Sequence, residues 1–330
     1  MGNAKIRAEG GLIMKKITFK EKIKNALVGI KNNPLMVLVF ALLFVIAVGL
    51  IALMFWGAYT SLKSATNWDN DPVGLPKGMP WEWEWSNYSI VFERFVVKVD
   101  YTDAAGKIIA SKVPINFTYM LMYTLIYAGG CTLVMTMVTC VMGYMTAKYP
   151  NKFSSLLTVV VITVMALPIV GTTSSELQIM IKLGLYNTLY GAIIQKAHFL
   201  GVYFLVFQSF FKGLGKEYEE AAEIDGASQF RILWKIMIPM ARNILFTVML
   251  LYFVGFWNDY TAPLLFIPSY PTLAYGLYYI TSGPGAYETA ISIPPMRLAA
   301  SMILFIPIVI VFIIFRNRII GNVTIGGVKE

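Results

Sequence analysis

The residues of this chain whose types and spacing say most about chemistry lie at 212–242, KGLGKEYEEAAEIDGASQFRILWKIMIPMAR. Glu217, Glu219, Glu220, Glu223 and Asp225 mix there with Lys212, Lys216, Arg231, Lys235 and Arg242. Residues 217–225 have helix-forming composition, Gly226 permits a turn or a close approach, and a second helix is expected to run until Pro239 limits it. Ala221, Ala222 and Ile224 make one side apolar. The chemistry of such a unit is recognition: it offers a short helix to a groove in another protein. A second set is polar and aromatic within apolar surroundings: Glu176, Tyr252, Trp257, Asn258 and Asp259, with Thr172, Thr173, Gln178, Gln195, His198 and Gln208 around them. Hydrogen bonding and ring stacking of this kind suit a hydroxylated solute, and an ionisable group within a membrane span is functional by default. Glu176, Lys196 and His198 lie close enough to a span boundary to reach water. Asn258 and Asp259 interrupt an apolar run beside Pro263, so they either shape the helix or line a path, and Tyr252 is spaced to share their face.

Catalysis finds no footing in the sequence. His198 is the single histidine, which leaves no His-rich metal site, and there is no GxxxxGK[ST] phosphate loop. Cys131 and Cys140 read as small apolar packing residues. The elements that must carry the polar residues are membrane spans. Hydrophobic residues make up 57% of the chain and charged ones 14%, with a mean hydropathy of +0.65, against about 25% charge in an ordinary soluble domain. Residues 34–56, 113–147, 153–175, 243–258 and 298–315 carry no charge, and a bilayer needs about 20 residues of helix. Six spans are expected, near 34–56, 119–147, 154–177, 189–211, 243–265 and 295–315. The first is expected to be retained, since it is too long for the core of a cleavable signal.

The net charge of +9 gathers beside the apolar runs, as an anionic lipid surface selects, and does not imply nucleic acid. Lysines before the first span, Lys148, Lys152, the 212–242 loop and Arg316, Arg318 and Lys329 place both termini in the cytoplasm by the positive-inside rule. Residues 16–33 read either as a weakly amphipathic surface helix or as a basic tail. In the outer loop 57–118, Trp81, Trp83 and Trp85 suit interfacial anchoring or contact with a docking partner, and 96–101 with 107–113 suit a small hairpin about the turn 103–106. Gly129, Gly130 and Gly143 suit close helix packing, and Pro168 and Pro307 suit kinks.

Glu220-Ala221-Ala222, three residues, Gly226, nine residues and Ile236-Met237-Ile238-Pro239 resemble the coupling-loop motif of ABC importer permeases, departing only at Ile238, where the family has Leu. AAEIDGAS (221–228), TSLKS (60–64), LGLYNTL (183–189) and FWNDYTAPLL (256–265) resemble the sugar-importer branch, and the terminal RNRIIGNVTIGGVKE (316–330) resembles the smaller, maltose-type subunit of a permease pair. The loop is longer than the family norm by about 20 residues around 96–115. The resemblance implies an all-α integral membrane protein of six transmembrane helices with the type I ABC importer permease fold. Its domains would be a cytoplasmic segment 1–33, a permease domain 34–315 and a cytoplasmic tail 316–330, set in a bacterial cell membrane. It further implies four kinds of partner: a second homologous permease subunit, two ATPase subunits that use ATP and Mg, an extracytoplasmic solute-binding protein, and the lipid bilayer. No cofactor is expected on this chain. Glu219, Glu220, Ala221, Ala222, Asp225, Gly226, Ala227, Ile236, Ile238 and Pro239 would then form the ATPase-coupling loop, with Ala221 and Ala222 allowing close approach and Gly226 setting the bend. The motif leaves open a permease for a polyol, glycerol phosphate or peptide; an ion-coupled secondary transporter or a polytopic scaffold would have no use for this loop.

Overall fold

The computed structural model describes residues 34–167, 171–285, 291 and 293–320. The expectations for 1–33, for Pro168 and for the tail beyond residue 320 lie outside these residues. The chain divides into two compact units, 1–57 and 58–330. The described part of the first is the body of helix α1 (Pro34–Thr60), a charge-free helix whose side chains from Leu35 to Phe55 are exposed.

The second unit begins where the chain leaves α1. Ser61 and Lys63 turn there, held by the Asn87 amide, which donates to the carbonyls of both at 2.8 and 2.9 Å. Lys63 is buried; its ammonium donates to the Asp71 carbonyl at 2.6 Å and lies over the rings of Tyr59 and Trp68, which replaces the water it has lost. Helix α2 (Ala65–Asn70), a 3₁₀ turn (Pro80–Glu82) and α3 (Ser86–Arg94) follow. An antiparallel hairpin comes next, β1 (Val96–Thr102) with β2 (Ile108–Asn116). Its turn closes as Asp103 Oδ1 accepts from the N–H groups of Ala105 and Lys107, with Gly106 at φ +82. A bulge between the pairs Val99–Val113 and Tyr101–Ala110 leaves Lys112 at φ +54, its N–H bonded to Asp100 Oδ1 at 3.0 Å.

Helix α4 (Phe117–Lys148), capped by Asn116, is the central element. It packs along α8 (Val202–Gly213) and α12 (Arg242–Asn258), and α12 packs in turn on α15 (Pro294–Ile320). Between them run α5 (Lys152–Ala166), α6 (Thr172–Lys182), α7 (Leu189–Gln195), α9 (Glu217–Ile224), α10 (Gln229–Ile232), a π turn (Leu233–Met237), α11 (Ile238–Met240), α13 (Thr261–Phe266) and α14 (Leu273–Thr281). A Cβ added at Gly143 would lie 2.7 Å from Phe207 Cβ, and one at Gly130 2.5 Å from Ile193 Cδ1. These two glycines bring α4 against α8 and α7 as small residues in membrane helices do, whereas Gly129 faces open space.

Among the described residues the body is helical, with the hairpin β1–β2, but the six-span expectation is not met. Three helices among the described residues are long and apolar enough to cross a membrane, Leu35–Thr60, Phe117–Lys148 and Pro294–Phe315, or up to four if the pair Gln229–Met240 and Arg242–Asn258, bent by 76°, counts as one span. The other expected spans are broken. The helix from Lys152 stops at Ala166 after 15 residues, about 22 Å of rise against the roughly 30 Å of a hydrocarbon core. The chain restarts through Gly171 at φ +87. The run 189–211 splits around Gln195 and Gly201, the latter at φ +156, a conformation open to glycine. The run 243–265 breaks at Asp259–Tyr260. A window of uncharged residues records hydropathy and is blind to these backbone interruptions. Pro307, expected to kink, lies inside the continuous α15.

Asn187, at φ +54, ties three segments together. Its amide nitrogen bonds Thr102 Oγ1 at 2.7 Å, the Thr102 carbonyl and Ser269 Oγ at 2.8 Å; its Oδ1 accepts from the Ser269 N–H, and its own N–H donates to the Phe266 carbonyl. Ser269 Oγ also donates to the Asp100 carbonyl and accepts from the Thr102 N–H.

Two outcomes follow from this packing, both read as the thermal midpoint of detergent-solubilised protein. Gly143→Leu should destabilise by about 1–3 kcal/mol through overpacking, while Gly129→Ala should not lower the midpoint. Asn187→Gly, which leaves Ser269 groups unsatisfied, should cost about 1–3 kcal/mol, and Asn187→Ala about 1 kcal/mol more, because alanine resists the left-handed backbone. Equal midpoints for the two Asn187 variants would count against the strained geometry.

Candidate functional site

Helix α9 starts with Glu217, Glu219 and Glu220 in its first turn, where negative charge complements the exposed N–H groups. Its end is a complete Schellman motif. The Gly226 N–H bonds the Glu223 carbonyl and the Ala227 N–H bonds the Ala222 carbonyl, both at 2.9 Å, with Gly226 at φ +74. Ser228 then caps α10 by accepting from the Arg231 N–H.

One face of α9 is clamped to the end of α4. Glu219 Oε1 accepts from the Tyr144 hydroxyl at 3.0 Å, Glu219 Oε2 lies 3.5 Å from Lys148 Nζ, and that ammonium also donates to the Leu214 carbonyl at 3.0 Å. Ala222 is buried in a cluster with Cys140, Tyr144, Phe211, Ile232 and Met237, against which Ala227, Ile236 and Ile238 pack. The Gln229 amide bonds the Glu223 carboxylate and the Tyr149 hydroxyl. The opposite face presents Glu220, Ala221, Asp225, Gly226 and, at 86% exposure, Ile224. The sequence-predicted residues therefore divide: Glu219, Ala222, Ala227, Ile236 and Ile238 turn inward, the others outward, and the two alanines do not share a face. Pro239 does not stop the second helix. The Ile238 N–H reaches back five residues to the Leu233 carbonyl in the π turn, the chain continues through Pro239 to Met240, and the break falls at Ala241. A proline lacks the N–H of a regular turn, and a π turn just before it relaxes the ladder around that gap.

Phe230, 71% exposed, and Trp234 pair their rings at 5.9 Å, and Tyr218 on α9 is also exposed. With Tyr144, Met145, Tyr149, Gln229 and Leu233, Phe230 lines a mainly apolar cleft of about 370 Å³. The sequence reading missed these aromatics, although the i, i+4 spacing of Phe230 and Trp234 was a visible signal.

The polar residues of the second set do not converge. Trp257 is 2% exposed and bolts α12 to α15 by donating from Nε1 to the Leu304 carbonyl at 3.1 Å. Asn258 donates back to the Val254 carbonyl of its own helix. Glu176 accepts from the Gln195 amide at 3.0 Å. Asp259 caps α13, its Oδ1 accepting from the Ala262 N–H, while Oδ2 accepts from the Tyr127 hydroxyl at 2.9 Å. Tyr252 meets Tyr203 edge-on at 4.8 Å and stacks on Phe256, whose ring also meets Tyr127. An aromatic row with a carboxylate at its end thus joins Tyr252 to Asp259 through Phe256 and Tyr127. Tyr127 escaped the sequence reading because nothing local says which helix faces Asp259. Among the described residues no group of three or more His, Cys, Asp and Glu is placed to hold a metal ion.

Comparison with known proteins matches residues 139–324 to the family described as Binding-protein-dependent transport system inner membrane component. The chain is 33% identical over 190 residues to the Arabinooligosaccharides transport system permease protein AraQ of Halalkalibacterium halodurans, covering 57% of this chain but only 65% of that relative. It is 27% identical over 291 residues to the Diacetylchitobiose uptake system permease protein NgcG of Streptomyces coelicolor, covering 87% and 86%. A chain in the crystal structure of a bacterial ABC transporter involved in the import of the acidic polysaccharide alginate shares the fold, with a TM-score of 0.65, 20% identity, and coverage of 89% of this chain and 97% of that one. With the family match spanning more than half of its length, this multi-helix membrane chain belongs to the binding-protein-dependent transport system inner membrane components.

Proposed function

We propose that this chain is a membrane-spanning permease subunit of an ATP-driven, solute-binding-protein-dependent importer for a sugar or oligosaccharide, with half of the translocation path in its own helices. The observation that carries this reading is α9: a short helix ended by a Schellman turn, clamped on one face and bare on the other, where Glu220, Ala221 and Ile224 sit. A helix laid into a partner's groove has this form. The partners are a second homologous permease subunit, two ATPase subunits that bind ATP and Mg and perform the hydrolysis, and an extracytoplasmic binding protein. The distribution of basic residues supports a bacterial cytoplasmic membrane with both termini inside. The arabinooligosaccharide and diacetylchitobiose relatives support carbohydrate as cargo, and the terminal 316–330 supports the smaller, maltose-type member of the pair.

Closure of the ATPase dimer pulls on α9. The contacts of Glu219 with Tyr144 and Lys148 pass that load to the end of α4, and α4 carries it along the membrane part of the chain as a rigid element. The row from Tyr252 to Asp259 supplies ring faces and a carboxylate for a hydroxylated solute.

The complex purified from its native membrane should contain a second permease and an ATPase. Ile224→Asp should lower the retained ATPase at least tenfold, about 1.4 kcal/mol of docking free energy. Glu219→Gln should retain the ATPase while ATP-dependent uptake falls. A chain that purifies without an ATPase, with uptake indifferent to Glu220→Ala and Gly226→Leu, would overturn the assignment.

A further inference from the structure

The hairpin β1–β2 occupies the segment by which the 57–118 loop exceeds its expected length, and nothing in the import scheme uses it. Between this hairpin and α14 lies a cleft of about 660 Å³, within the roughly 300–1,000 Å³ of small-molecule sites. One wall carries Lys98, Asp100 and Lys112; the other carries Tyr275, Tyr278 and Tyr279. Tyr275 is only 7% exposed, yet it lines the cleft, and its hydroxyl has no hydrogen-bond partner among the described residues. The Tyr278 ring is fixed by stacking on Tyr260, centroids 4.7 Å apart and 14° from parallel. Asp100 gives Oδ1 to the Lys112 N–H, which leaves Oδ2 as an acceptor. Asn187 and Ser269 tie the hairpin wall to the loop that leads into α14, which carries the tyrosine wall.

We propose that this cleft binds one or two sugar units of an oligosaccharide, apart from the row that runs from Tyr252 to Asp259. The proposal rests on the carbohydrate-import reading above and assigns it a second site. Tyrosine faces receive the C–H face of a sugar ring, whereas the carboxylate and ammonium groups receive its hydroxyls; an apolar partner would have little use for Lys98 and Asp100. The ligand is a hydroxyl-bearing ring with polar edges and an apolar face.

The test uses the complex with its native partners in lipid nanodiscs, without binding protein or nucleotide, and saturation-transfer NMR with arabinotriose, maltotriose and diacetylchitobiose. At least one sugar should receive saturation, and the effect should fall at least fivefold in Tyr278→Ala and in Lys98→Gln while Tyr278→Phe retains it. Lys98 is exposed on the hairpin, so that variant tests the cleft independently of folding. No transfer to any probe, or equal transfer in every variant, overturns the proposal. So do variants that weaken only the seating of the binding protein, which would make the cleft a protein dock. ATP-dependent uptake is measured on the same variants reconstituted into sealed proteoliposomes with binding protein and ATP: uptake with unaltered transfer sinks the cleft alone, and transfer lost in the variants without uptake of any probe sinks the import reading alone.

Discussion

A buried amide holds the hairpin end of this molecule together. Asn187 has two donors and two lone pairs on a short side chain, and it spends them on Thr102 and Ser269 while its backbone bonds Phe266. The end of β1, the turn before α7 and the loop after α13 are far apart in sequence, and each carries backbone groups that helices or strands leave unmatched. Buried polar groups without partners are costly, so one residue that satisfies several of them fixes the mutual position of all three segments. The left-handed backbone at Asn187 is the strain accepted for that, and asparagine tolerates it better than most residues.

The same accounting explains the opposite end. A helix as short as α9 is marginal alone, so its position depends on the anchors that surround it: the buried Ala222, the Glu219 contacts and the Schellman turn. What remains unanchored is the face where Ile224 stands exposed between Glu220, Ala221 and Asp225, a mixed surface of one large apolar side chain and two carboxylates.

Part of this was legible in the sequence and part was not. The spacing from Glu220 through Gly226 to Pro239 marked the helix–turn–helix, because a glycine at C′ and helix-forming residues before it are local signals. The hairpin was legible for the same reason, through the alternation at 96–101 and the turn at 103–106. The span count was not. The mainly apolar runs at 154–177, 189–211 and 243–265 look continuous to any hydropathy window, but glycine conformations at Gly171 and Gly201 and the cap at Asp259 cut them into short helices. The inward turn of Glu219 and the pairing of Tyr127 with Asp259 were also invisible, since they depend on which helices become neighbours. Trp257 read as a candidate path residue because it is an aromatic ring beside Asn258 and Asp259 in an apolar run, while its indole N–H is committed to the Leu304 carbonyl of α15.

The contact at Gly143 limits where this chain can deform. The backbones of α4 and α8 approach so closely there that a Cβ on one would stand 2.7 Å from the Cβ of Phe207 on the other. Two helices in such contact have no compressible layer of side chains between them, and neither can roll or slide without lifting the other away. They form a single girder, so motion is taken up at its joints, such as the gap between α7 and α8.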